Sequence, residues 1–269
     1  MSHGSAPGTQ YPMQVFLLVL VAIFSVPLVA QNATSSSALT ADEIAHNIEV
    51  SNQLRNNALH RFESSRTYTL HYHGFPSQSA EMVVTLSYQS PSTKDFKVVS
   101  QSGSKFIIDH VFKRMLESER EAAKEQSRSA LTSNNYEFSL IGREQLPEGN
   151  CYVLRVAPRT NNKFLYRGRI WVDAADFAVV KIEAEPAQNP SFFINRTEVH
   201  HRYKKVGNFW LPAENRTTSY LRIGGHADLT IDYQRYTITA ADRIPSPATA
   251  AQNVAPGTRE AEGKAAASE

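Results

Sequence analysis

Several groups of residues in this 269-residue chain have types and spacings that could do chemistry. His71 and His73 are two apart, so on a strand they share a face at the spacing of two metal ligands. Their neighbours on that face are Thr67 and Thr69, and no carboxylate is near in sequence, so they read as solvent-facing histidines rather than a metal site. Ser102 and Lys105 match an SxxK pattern at a helix start, where a serine nucleophile sits in penicillin-interacting enzymes, but the partner motifs are missing. Ser104 reads more simply as an N-cap, and a hydrolase working through Ser104 or His110 is the remotest reading. Cys151 is the only cysteine, which excludes an internal disulfide and any CxxC site. Its neighbours Tyr152, Val153, Leu154 and Val156 make it an inert, buried thiol.

His200, His201, Arg202, Lys204 and Lys205 could meet the phosphates of lipid headgroups, but a solvated strand edge protected by charge is the preferred reading. Asn195-Arg-Thr197 and Asn215-Arg-Thr217 fit the glycosylation sequon, which matters only in a eukaryotic secretory pathway. HExxH, GxSxG, Walker A, GxGxxG and EF-hand patterns are all missing, so neither an enzyme nor a cofactor is expected. A net charge of +2 is too small to argue for nucleic acid.

The elements that must position these residues begin after an apolar run. Residues 15 to 30, VFLLVLVAIFSVPLVA, are too short to span a bilayer and end on a small residue, so 1–30 reads as a signal peptide cleaved near Ala30. Residues 31–39 are a polar linker, 40–240 the folded domain, and 241–269 a Pro-, Ala- and Gly-rich tail expected to be disordered. Thr40 and Glu43 form a capping box, and apolar spacing predicts a helix of about 20 residues running to Phe62. After Ser64 the period becomes two. Tyr68, Leu70 and Tyr72 form one strand face, Met82, Val84, Leu86 and Tyr88 the next, and Phe96 and Val98 a third. From Ser104 to about Ala130 the spacing is helical again, with Ile108, Val111, Phe112, Met115, Glu119 and Ala122 on one side. The charged second half, ESEREAAKEQSR, is expected to project into solvent. Beyond Asn135 the chain reads as a β meander.

The result is an α+β, mainly antiparallel β domain of about ten strands and two helices. So wide a sheet has more apolar concave face than one and a half amphipathic helices cover, and a lipid-sized cavity would resolve the mismatch. Tyr68, Leu70, Tyr72, Met82, Val84, Leu86, Phe96, Ile108, Phe112 and Phe138 are the candidates to line it.

The stretches Asn134-Asn-Tyr-Glu-Phe138, Cys151-Tyr-Val-Leu154, Gly168-Arg-Ile-Trp-Val-Asp173, Asp176-Phe177, Asn189-Pro-Ser-Phe192 and Phe209-Trp-Leu-Pro212 resemble the bacterial outer-membrane lipoprotein-sorting family, the superfamily of LolA, LolB, RseB and LppX. Helix, three strands, helix and meander follow one another in that family's order from about residue 40 to 238. The resemblance implies a curved half-barrel closed by two helices, with acyl chains of a lipoprotein or lipid in an apolar cavity. It also implies a soluble periplasmic monomer that meets a membrane-bound donor or acceptor protein. The alternative is an RseB-like periplasmic sensor or interaction module without transport. The arginine that holds the helical lid in LolA has no counterpart at a matching motif; Arg61 and Arg66 lie only near that region.

Overall fold

The computed structural model describes residues 38–240. The expected signal peptide, all but the end of the linker, and the expected tail lie outside the described residues. The first helix, α1 (Ala41–Ala58), starts as its capping box dictates. The Glu43 amide donates to Thr40 Oγ1 at 3.2 Å and the Thr40 amide donates back to Glu43 Oε2 at 2.8 Å. α1 then passes directly into β1 (Leu59–His73), so the helix expected to reach Phe62 ends four residues sooner. Both Leu59 and Phe62 are buried although they are three apart, which resembles helical spacing. A break in register against the neighbouring strand between Leu59 and Arg61 explains this. A bulge adds one residue and turns an odd spacing into a same-face pair.

The other strands are β2 (Gln78–Gln89), β3 (Thr93–Gly103), β4 (Tyr136–Leu146), β5 (Gly149–Pro158), β6 (Tyr166–Asp173), β7 (Val179–Pro186), β8 (Ile194–Val206), β9 (Phe209–Leu221) and β10 (His226–Ala240). All are antiparallel in one ten-stranded open sheet of order β3-β2-β1-β10-β9-β8-β7-β6-β5-β4. The meander closes back through β10 onto β1, leaving β3 and β4 as edges. β8 lies between β7 and β9, so the charged 200–205 stretch is not the sheet edge it was read as.

The sheet curls round α1. Ile44 and Ile48 pack in one core with Tyr136, Tyr152 and Leu154 of β4 and β5, while the end of α1 is joined to β1. Six strand spacings separate β1 from β5, about 29 Å in a flat sheet, whereas the ten residues from Ile48 to Ala58 span about 15 Å of helix. Only a strongly curved half-barrel brings both ends together.

The second helix is interrupted. It consists of α2 (Lys105–Ile107), a π-helical segment (Ile108–Phe112), α3 (Lys113–Lys124) and, past a break at Glu125, α4 (Gln126–Ser129). Ser104 caps it, accepting from the Ile107 amide. The wider π turn lets Ile107, Ile108 and Phe112 all reach the core beneath.

Candidate functional site

A cavity of about 1080 Å³ opens between α1, α3 and the sheet, at the upper end of the usual size for a ligand pocket. α1 gives it a polar flank of Asn52, Gln53, Asn56 and Asn57, and α3 contributes Met115, Ala122 and Ala123. Leu59, Phe62, Leu211 and Ile231 supply apolar surface from β1, β9 and β10. Such a lining can take an apolar chain along the sheet and a polar portion toward the asparagines.

An ion cluster lies in its wall. Arg66 on β1 is only 3% exposed, and its Nη1 donates to Glu119 Oε2 on α3 at 2.7 Å. Lys94 Nζ on β3 reaches the other oxygen, Oε1, at 2.8 Å. The Arg66 guanidinium also lies 4.7 Å from the ring centre of Tyr233 and 5.7 Å from that of Phe96, a cation–π arrangement. Burial alone would raise the Glu119 carboxyl, but the charges of Lys94 and Arg66 outweigh it and hold it at about 2. Burial would likewise lower Arg66, and Glu119, with Tyr233 and Tyr68 beside it, more than reverses this, so both partners stay ionised. The cluster is the electrostatic tie between α3 and the sheet.

Sequence reasoning missed this pairing while placing Glu119 correctly on the inward side of its helix. A carboxylate in an apolar stripe needs a buried cation, and that was the available signal. The charged half of the helix therefore does not project freely as expected. Leu116 is buried, Glu119 is pinned, and Glu121 pairs with Lys163 at 2.8 Å.

His201 also faces the cavity, stacked on Tyr203 with ring centres 4.7 Å apart. Burial, with Arg66 adding to it, pushes its imidazole down to about 4, so it is neutral at pH 7. Its Nε2, like Arg66 Nε, has no hydrogen-bond partner among the described residues. The three Arg and Lys residues of the basic stretch are engaged elsewhere: Arg202 with Glu148 at 3.3 Å, Lys205 with Asp176 at 2.9 Å, and Lys204 with the Tyr233 carbonyl at 3.2 Å.

None of the ten candidate residues lines this cavity. Tyr68, Leu70, Met82, Val84, Ile108 and Phe112 pack with Tyr72 and Phe96 in a core between the second helix and the sheet. Leu86 joins Phe62 and Phe209 in a second cluster, and Phe138 flanks the core under α1. The helix fills the face over β1 and β2, and the open space lies farther along, beneath α1 and α3. Cys151 is buried, and burial, reinforced by Asp173, pushes its thiol up to about 11. The Ser104 hydroxyl is occupied with Gln78 at 2.6 Å as well as with its cap. His73 acquires across the sheet the carboxylate its local sequence lacks, with Nε2 3.1 Å from Asp228 Oδ2.

A family model described as an uncharacterized protein matches residues 123–248. No curated protein matches the sequence. Among solved structures, the chain is similar to a DUF1329 family protein from Desulfovibrio piger, at 11% identity and a TM-score of 0.39 over 73% of this chain and 93% of that one. It is similar to a LolA superfamily protein from Nitrosomonas europaea, at 10% identity and a TM-score of 0.34 over 77% and 96%. The complex of MucA and MucB from Pseudomonas aeruginosa matches at 11% identity and a TM-score of 0.24 over 73% and 100%. No helix of the described residues is long and apolar enough to cross a membrane.

Proposed function

We propose that the protein is an exported carrier that binds an acyl chain of a lipid or lipoprotein in the cavity between α1, α3 and the sheet. The observation that carries this reading is the cavity itself, with apolar strand residues on one side and α1 amides on the other. In this reading residues 1–30 direct export to the periplasm, cleavage occurs near Ala30, and the domain at 40–240 acts as a monomer. The eight of the ten residues that pack under the second helix, among them Tyr68, Met82 and Phe112, become acyl contacts when that helix lifts from the sheet, while Leu86 and Phe138 extend the apolar surface on either side.

Energetics limit how such a carrier works. Burial contributes about 0.8 kcal/mol per methylene, so a chain of roughly sixteen carbons gains about 12 kcal/mol gross. Three fully buried chains would pass the practical ceiling of noncovalent affinity, and the cargo would not leave. Partial burial in a half-open space, or burial offset by parting Arg66 from Glu119, keeps release accessible.

Mass spectrometry of protein purified without detergent, with uptake of a fluorescent fatty acid, tests the proposal. Retained lipid and saturable uptake are expected, with uptake weakened by the cavity-filling Ala122→Trp and Ala123→Trp. Wild-type protein that retains no lipid and takes up no probe would overturn the reading.

A further inference from the structure

The face of the sheet turned away from the helices carries a second cluster. Tyr72 and Leu70 of β1 stand opposite Ala227 and Leu229 of β10, and all four belong to the core under the second helix. Alternation then puts His71, His73, His226 and Asp228 on the opposite face, where His73 pairs in register with His226 and His71 with Asp228. We propose that His73, His226 and Asp228 bind a divalent transition-metal cation of the zinc class.

Geometry is the first argument. His73 Nε2 lies 3.1 Å and His226 Nε2 3.5 Å from the same oxygen, Asp228 Oδ2. One ligand atom from each of the three residues falls within 4.8 Å of the others. Zinc holds imidazole nitrogen and carboxylate oxygen at about 2.0–2.1 Å, so two tetrahedral ligands sit roughly 3.3 Å apart. The two observed separations bracket that value.

Support from the surrounding residues is the second argument. Thr218 of β9, the register partner of Asp228, donates its hydroxyl to Asp228 Oδ1 at 2.7 Å. This occupies one carboxylate oxygen and leaves the other turned to the imidazoles, the kind of outer contact that orients metal ligands. The two imidazoles are stacked, with ring centres 4.6 Å apart and planes 19° from parallel, so a shared ion requires one of these half-exposed rings to rotate and bring its in-plane lone pair onto the metal. The turn before His226 is tight: a Cβ at Gly225, whose φ is +74°, would come within 2.2 Å of the His73 carbonyl oxygen. All three ligands thus stand on paired strands whose relative backbone position is fixed, and only side-chain rotation separates them from ligating geometry.

Donor chemistry selects the ion. Two imidazoles and one carboxylate suit zinc and its neighbours, whereas calcium and magnesium take oxygen ligands. Three protein ligands leave a position for water, and the half-exposed side chains leave it open to solvent.

The same distances would serve a His–Asp ion pair with no metal, and calorimetry separates the two. Zinc chloride titrated into the untagged, chelator-treated full chain is expected to bind one equivalent. Cobalt(II) in its place is expected to give the visible d–d bands of a nitrogen- and oxygen-ligated site. His73→Gln and Asp228→Asn, both at half-exposed positions, should fold as wild type by circular dichroism and weaken zinc by about tenfold or more. His200→Gln, outside the cluster, should leave affinity unchanged. Failure of wild-type protein to bind a stoichiometric ion, or equal affinity in His73→Gln and Asp228→Asn, would overturn the site.

Discussion

Two partly buried side chains at the cavity translate pH into stability. His201 is held at about 4 in the folded protein, against about 6.5 for an unfolded histidine. As pH falls below about 6.5 the unfolded chain takes up this proton first, so stability declines down to about pH 4. Glu119, held at about 2, adds a second window: its contribution is complete above the ordinary carboxylate range, near 4.3, and is lost as pH falls toward 2. Urea midpoints of wild type at pH 7, 5.5 and 4.5 are expected to fall, and His201→Phe should flatten that interval. Glu119→Gln leaves Arg66 buried without its carboxylate and should cost about 3–5 kcal/mol at pH 7, measured by the same unfolding. The sequence disclosed residues whose role is local: the Thr40 and Ser104 caps and the buried thiol at Cys151. It placed Arg66 near the lid region but concealed its pairing, because the partner lies 53 positions away and no local pattern marks a buried arginine on a strand.

Among the elements, the strands were legible because alternation is a local signal, and the seven strands after Asn135 fall close to where it put them. The end of α1 was not, since a bulge disguised strand as helix. Three of the motifs that carry the family resemblance meet at one corner. Asp173 Oδ1 accepts from the amides of Ala175 and Asp176, and Asp176 Oδ2 accepts from Trp210 Nε1 and Lys205 Nζ, each at 2.9 Å. Arg55 of α1 donates to the Asp176 carbonyl at 2.8 Å. The conjunction of IWVD, DF and WLP is therefore a device that joins α1, the β6–β7 turn and β9, which is why it speaks of fold and not of cargo. Asp176→Ala should lower stability by about 1–3 kcal/mol in chemical denaturation while leaving fatty-acid affinity within about twofold. At Gly168 of β6 a Cβ would meet the Glu183 carbonyl oxygen at 2.2 Å. Gly168→Ala must push β7 away and is expected to cost at least about 2 kcal/mol by the same measurement.

At the scale of the whole molecule, the pairing of β10 with β1 brings the chain ends of the domain together and creates both sites, one on each face. No periodicity announces that pairing, because it joins segments more than 150 residues apart. It also divides the molecule mechanically. The cores under α1 and under the second helix are separate clusters on one continuous sheet, so α3 can part from its strands while β5 and β6 stay paired. Hydrogen exchange should accordingly show residues 113–124 opening well before the amides of β5 and β6. Glu119→Gln shifts the closed–open equilibrium without altering the apolar lining, so exchange in 113–124 and the association rate of a fluorescent fatty acid should rise together. If exchange accelerates and association does not, α3 is not the door. Entry must then pass beneath α1, and Arg55, through its hold on the β6–β7 turn, becomes the residue whose loss should speed loading.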